Sequence, residues 1–143
     1  MKTLRILMLV AGLATTGACG GSDTSTTTPS VTVGPTTELF EGTLTPKGSA
    51  FFAFTVTDTG NVSVMLASVT SSAAPGNSAT PTLGLSVGVP SGIDCTIQNS
   101  IAASPALTSQ LVVNMPAGLY CARVYDIGNL TSSINFAVRI VHT

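Results

Sequence analysis

The sequence predicts an all-β domain: a single antiparallel β-sandwich of about eight strands, jelly-roll-like in layout. Three observations predict it. Charged residues make up only 8% of the 143, so most strong helix formers are scarce, while β-branched residues, which suit strands, are abundant. Short apolar alternations of period two recur from Glu38 to the last residues. Turn signals separate them at the regular spacing of sandwiches and jelly rolls.

The elements follow in order. "ELFEGTLT" reads as the first strand, and "SAFFAFTVT" as the second, with Ala50, Phe52, Phe54 and Val56 on one face. "TDTGN" is a hairpin turn signal, because Gly60 and Asn61 tolerate positive φ. "VSVMLASV" places Val62, Val64 and Leu66 in register, and Thr70 to Pro81 is a loop of small polar residues and breakers. "TLGLSVGVP" puts Leu83, Leu85, Val87 and Val89 inward and Gly84, Ser86 and Gly88 outward. A turn at Pro90 to Gly92 leads into "IDCTIQ". "TSQLVVNM", a tight "PAG" turn, "LYCARVYDI" and "SSINFAVRIVHT" complete the set, the last with Ile134, Phe136, Val138 and Ile140 on one face.

The N-terminus has a different grammar. Lys2 and Arg5 precede the apolar run "ILMLVAGLA", and the small residues Thr16, Gly17 and Ala18 lead to Cys19. That run is too short to cross a bilayer as a helix but has the length of a secretory h-region. The whole resembles a bacterial lipoprotein signal peptide. The resemblance implies cleavage before Cys19, acylation of Cys19 and anchorage to the lipid bilayer. With Gly20 next, it implies sorting to the outer membrane. Thr16 stands where leucine is usual. The competing reading is a plain secretory signal with an incidental cysteine. Residues 1–18 are then the signal peptide and 19–37 a lipidated cysteine and tether. Gly, Ser and Thr bury too little apolar area to fold, and Pro29 and Pro35 favour extended chain. The folded domain is expected over 38–143. In a translocated chain Cys95 and Cys121 most simply pair; two free thiols are the alternative.

"EGTLTPKGSAFFAFTVTDTGNVSVMLAS" and "MPAGLYCARVYDIGNLTSSINFAVRIVH" resemble the two ends of a bacterial pre-peptidase C-terminal domain. Gly42, Leu44, Phe52, Phe54, Val56, Gly60, Val62, Val64 and Leu66 carry the front of the likeness. Ala117, Gly118, Tyr120, Arg123 and Val124 carry the back. The resemblance implies a jelly-roll-like accessory module of secreted hydrolases, some of which bind polymers or Ca²⁺. Thr82 and Gly84 stand where that family has acidic residues, which argues against Ca²⁺, a cation that wants several carboxylates.

Composition excludes other classes. Beyond Lys2 and Arg5 the only cations are Lys47, Arg123 and Arg139, so no basic patch exists for nucleic acid. Paired metal ligands, phosphate loops and dinucleotide fingerprints are absent, and no cofactor is expected. "GLSVG", Gly84 to Gly88, matches a nucleophile elbow, and Ser86, Asp94 or Asp126, and His142 follow the order of a hydrolase triad. The context argues against a small esterase: alternation runs straight through Ser86, Pro90 follows, and His142 sits at a fraying end. Asp58, Asp94 and Asp126 read as turn and strand-end residues. Phe51 and Tyr125 are expected on an outer face as a possible binding surface, with the Arg123 stem lying along the sheet. The expected role is therefore a non-catalytic envelope lipoprotein that binds an envelope protein or extracellular polymer. The alternative is a structural subunit of an envelope complex.

Overall fold

A computed structural model describes residues 34–74 and 80–143. The expected signal peptide, Cys19 and most of the expected tether fall outside the described residues. Eight strands follow in order: β1 (Thr36–Leu44), β2 (Ser49–Val56), β3 (Gly60–Ser71), β4 (Leu83–Ser91), β5 (Asp94–Ala103), β6 (Leu111–Met115), β7 (Gly118–Tyr125) and β8 (Ile134–His142). Among the described residues there is no helix. β1 opens at Thr36, so Thr36 and Thr37 belong to the sheet rather than to the expected tether.

Two antiparallel four-stranded sheets form, sheet A in the order β1-β8-β3-β6 and sheet B in the order β2-β7-β4-β5. β1 pairs with β8, β2 with β7, β3 with β6 and β4 with β5. The chain is thus one long hairpin rolled into two layers, the double Greek-key jelly roll. Only β4 and β5 are joined as a local hairpin. The "TDTGN" and "PAG" segments do reverse the chain, but each carries it from one sheet to the other. Gly60 and Asn61 do not take positive φ; among the described residues Lys47, Gly92 and Gly128 do. A turn signal specifies a reversal, not the partner of the strand that follows.

The alternation places the core. From sheet A, Leu44, Val62, Val64, Leu66, Val69, Phe136, Val138 and Ile140 point inward; from sheet B, Phe54, Val56, Leu83, Leu85, Val87 and Val124 meet them. Phe40 of edge strand β1 stacks on Phe52 of edge strand β2 at 4.6 Å, and Phe52 meets Phe136 edge-on at 6.1 Å, closing that side of the sandwich. On the other side β6 pairs with β3 only as far as Val64. The Gln110 side chain then takes over as a strand would. Its Oε1 accepts from the Leu66 N–H at 2.9 Å, and its Nε2 donates to the Leu66 carbonyl at 3.4 Å. A buried backbone group without a partner costs about as much as a lost hydrogen bond, so this side chain, with the Ala106 N–H that donates to the same Leu66 carbonyl at 3.1 Å, protects the middle of β3.

β4 departs from the simple inward–outward expectation. Leu83, Leu85 and Val87 are buried inward as expected, but Gly84, Ser86 and Gly88 on the other side are buried too. Past the irregularity in the β4–β5 register at Val87/Gly88 the inward series stops, and Val89 is 39% exposed.

Cys95 of β5 and Cys121 of β7 are disulfide-bonded, with Cα atoms 5.9 Å apart. The bond reaches across β4, which lies between those strands in the sheet. A Cβ at Gly88 would run into the Thr96 carbonyl, so glycine there lets the start of β5 cross close over β4. The bridge closes a sequence separation of 26 residues, a loop whose closure restricts the unfolded chain by about 3.5 kcal/mol. Reduction, or Cys95→Ser with Cys121→Ser, is expected to lower unfolding free energy by about 3 kcal/mol in urea titrations; an unchanged midpoint would show that the bridge constrains nothing.

Candidate functional site

Two broad surfaces are available, the outer faces of the two sheets. On sheet B the cross-strand rows are Ser49–Tyr125–Gly84, Phe51–Arg123–Ser86–Ser100 and Ala53–Cys121–Gly88. Phe51 and Tyr125 do lie on this outer face, each half-buried. The Tyr125 ring occupies the space a Cβ at Gly84 would need. Arg123 lies 5.7 Å from that ring, with Nη1 3.3 Å from Asp94 Oδ1 and Nη2 donating to Ser49 Oγ at 3.1 Å. Reaching both partners leaves its Nε buried without a hydrogen bond. Arg123 and Tyr125 therefore cover the small residues of β4, and the exposed Arg123–Asp94 pair adds at most about 1 kcal/mol.

The hydrolase-like residues do not assemble. Ser86 is 0% exposed, and its Oγ donates to the Arg123 carbonyl at 3.3 Å. His142 belongs to the inner face of sheet A, whereas Ser86 faces out of sheet B. The expectation of a frayed His142 is also corrected. Its side chain is 3% exposed, its Nε2 donates to Glu38 Oε1 at 2.8 Å, and its ring lies 5.3 Å from that of Phe54. Thr143 secures the end beyond it. Its carbonyl accepts from the Thr57 N–H at 2.8 Å, and its hydroxyl donates to the Asp58 carbonyl.

Asp126 organises the other end of the sandwich. Its carboxylate accepts four backbone N–H groups, from Lys47, Gly128, Asn129 and Leu130, at 2.8, 2.8, 3.0 and 3.2 Å. Lys47 is the left-handed residue of the β1–β2 turn, so one side chain ties two connections together. The Lys47 N–H, then those of Gly128, Leu130 and Asn129, hold the Asp126 pKa below its ordinary value, against a smaller opposing effect of desolvation.

A concave feature on the outer face of sheet A was not expected. It is a trough of about 450 Å³ lined by Glu41, Gly42, Thr43, Ser68, Thr70, Asn135, Phe136 and Ala137. Two outward rows build it, Thr43–Asn135–Thr70 and Glu41–Ala137–Ser68. β8 forms the floor, with Ala137 as its smallest side chain; β1 and β3 form the walls. The Thr43 hydroxyl donates to Asn135 Oδ1 at 2.8 Å, leaving the Asn135 amide NH₂ as a donor. β3 carries an extra residue at the Leu66/Ser68 register shift, beside the trough. Among the described residues no three His, Cys, Asp or Glu side chains cluster as metal ligands.

No family model and no curated protein matches this chain.

The residues that resemble a pre-peptidase C-terminal domain mostly face the core: Leu44, Phe54, Val56, Val62, Val64, Leu66, Tyr120 and Val124 are all buried. Tyr120 also donates its hydroxyl to the Pro116 carbonyl at 3.0 Å and braces the turn before β7. Such a pattern describes how a sheet packs and is silent on what its outer face holds. Sequence reasoning missed the trough for a related reason. Thr43, Ser68, Thr70 and Asn135 carry no motif and look like ordinary strand surface until the sheet order brings them together.

Asp126 generates a pH prediction. Because its folded pKa is lowered, its contribution to stability is present above the unfolded value, near 3.8, and is lost as pH falls through the folded value. Asp126→Asn is expected to melt at lower temperature than wild type at neutral pH, with the difference closing as pH drops below about 4. A difference that stayed constant with pH would contradict this role.

Proposed function

We propose that the protein is a lipid-anchored envelope protein whose sandwich is a non-catalytic binding module, with the sheet A trough as its binding site. The open, preformed trough is the observation that carries the binding part. Its floor strand β8 is paired on both sides, to β1 and to β3, and sites on rigid elements hold their geometry. A volume of about 450 Å³ lies within the usual range of ligand sites, roughly 300–1,000 Å³. The anchoring part rests on the sequence: Lys2, Arg5, the apolar run and the small residues before Cys19. Several acyl chains bury many methylenes at about 0.8 kcal/mol each, enough for stable anchorage where one chain is not. The likeness to a pre-peptidase C-terminal domain agrees with an accessory role and selects no ligand.

One observation favours the second reading, a structural subunit of an envelope complex. Around the disulfide, the outer side of sheet B exposes Ala53, Ile97 and Leu119 beside half-buried Phe51, a largely uncharged surface.

Two experiments separate these readings. Radiolabelled palmitate is expected on the wild-type chain and absent from Cys19→Ser; label that survives the substitution removes the anchor. Capture from crosslinked envelopes is expected to retain a component that Ala137→Phe loses, because that side chain fills the trough. Loss instead with Leu119→Ser, with Ala137→Phe unaffected, would assign the interaction to sheet B and favour the structural subunit.

A further inference from the structure

We propose that the trough takes a neutral, polyhydroxylated polymer, a glycan segment laid along β8. The inference rests on the binding-module reading and specifies its ligand.

The lining offers hydrogen-bonding groups of both kinds. Glu41 presents a carboxylate that makes no hydrogen bond or ion pair among the described residues. Asn135 presents its NH₂, since its Oδ1 is taken by Thr43. Ser68 and Thr70 on the facing wall each both donate and accept. A sugar hydroxyl also does both, so neighbouring hydroxyls of one ring can donate to Glu41 and accept from Asn135. A hydrogen bond to an ionised carboxylate is the stronger kind. The ring itself needs an apolar surface to lie on, and the Ala137 methyl supplies a small one.

The same lining argues against other ligands. It contains no Lys, Arg or His, and Arg139, the next outward residue of β8, holds its Nη2 3.9 Å from Met65 Sδ, so phosphate, sulfate or uronate groups find no countercharge among the lining residues and face Glu41. One carboxylate cannot replace the six to eight oxygens of a Ca²⁺ shell. Phe136 is the one large apolar residue of the lining, and it is buried in the core at 3% exposure, so a hydrophobic peptide would have no pocket to fill.

Geometry favours a chain over a compact molecule. The walls stand two strand spacings apart, about 10 Å. Glu41 and Thr43 on one wall, and Asn135 and Ala137 on the floor, stand on two successive outward rows, so polar groups are spread along β8 and stay open to solvent, as a chain that runs on past the trough requires. No aromatic platform is present, so each contact contributes modestly. Loss of one hydrogen bond is expected to change affinity about three- to tenfold.

The test is a titration of the ¹⁵N-labelled full chain, followed by amide resonances. The neutral probes are cellotetraose, maltotetraose and chitotetraose; the charged probes are tetragalacturonate and a lysine-rich peptide. At least one neutral probe is expected to shift amides of β1, β8 and β3 around Asn135 and Ala137, saturably and without dependence on added salt. Ala137→Phe is expected to abolish those shifts, and Asn135→Ala to weaken binding about three- to tenfold. Phe51→Ala, on the other sheet, leaves them unchanged. Thermal melts of each variant confirm that it is folded. The proposal is overturned by silence from all three neutral probes, by response to the charged probes alone, or by shifts that persist in Ala137→Phe. If envelope capture still depends on the trough while no glycan probe binds, the ligand class is wrong and the binding module stands. If capture does not depend on the trough either, both fall.

Discussion

The double-sided burial of β4 is the constraint on which sheet B depends. Most strands of a sandwich bury one face and show the other to water. β4 alternates large and small side chains: Leu83, Leu85 and Val87 fill the core, while Gly84, Ser86 and Gly88 lie under a cover assembled from β7 and β5. Each small residue has its own cover. The Tyr125 ring lies on Gly84, Arg123 pairs beside Ser86, and the Thr96 backbone crosses Gly88. A slip of one residue would send every side chain to the opposite face, pushing leucine and valine under that cover and leaving glycine and serine in the core. Both errors are costly, so the register of β4 is specified from both sides. The Cys95–Cys121 bond then holds the cover down, since it joins the two strands that supply it.

That arrangement divides labour between the sheets. Tyr125 and Arg123 are engaged in covering β4, which leaves less of the sheet B surface free to meet a ligand. Sheet A needs less cover, confined to Met65 with Arg139 Nη2 3.9 Å from its Sδ. Its strand β8 carries Asn135 and Ala137 outward, and flanking Ser and Thr hydroxyls complete a polar surface in which Ser68 and Thr70 are not engaged by Asn135 or Thr43. A side chain without a structural task can be matched to a ligand without cost to stability.

The fold class was legible because its cause is local. Period-two alternation in Ala50–Val56, Leu83–Val87 and Ile134–Ile140 reports which side of each strand meets the core, and the structure places those residues there. The Cys95–Cys121 pairing was legible for a similar reason, because few alternatives exist with two cysteines in one domain. What escaped depends on residues distant in sequence. "TDTGN" looked like a hairpin but joins strands of different sheets, since partner choice is settled by the whole rolled-up chain. Ser86 looked solvent-facing because nothing nearby shows that Arg123, 37 residues on, will close over it. His142 looked frayed because its partner Glu38 is 104 residues away. The trough joins residues 41–43, 68–70 and 135–137, three segments whose adjacency follows only from the order β1-β8-β3.

Anchor and trough, on the functions proposed above, solve one problem together. Modest hydrogen bonds from Glu41, Asn135, Ser68 and Thr70 over a small apolar floor cannot by themselves overcome the cost of ordering a flexible polymer by much. Chains held by lipid in one plane, each on an extended tether, present many copies of the trough to one polymer. After the first contact the rest become intramolecular, at an effective concentration set by tether length. Overall binding then grows by orders of magnitude with no stronger single site, while each contact still opens quickly. A segment rich in Thr, Ser, Gly and Pro has the composition of a flexible linker, which suits that use. The low charge of the domain suits it as well. Because the proposed ligand is neutral, its binding is governed by hydroxyl matching and is little affected by the ionic strength of an exposed envelope.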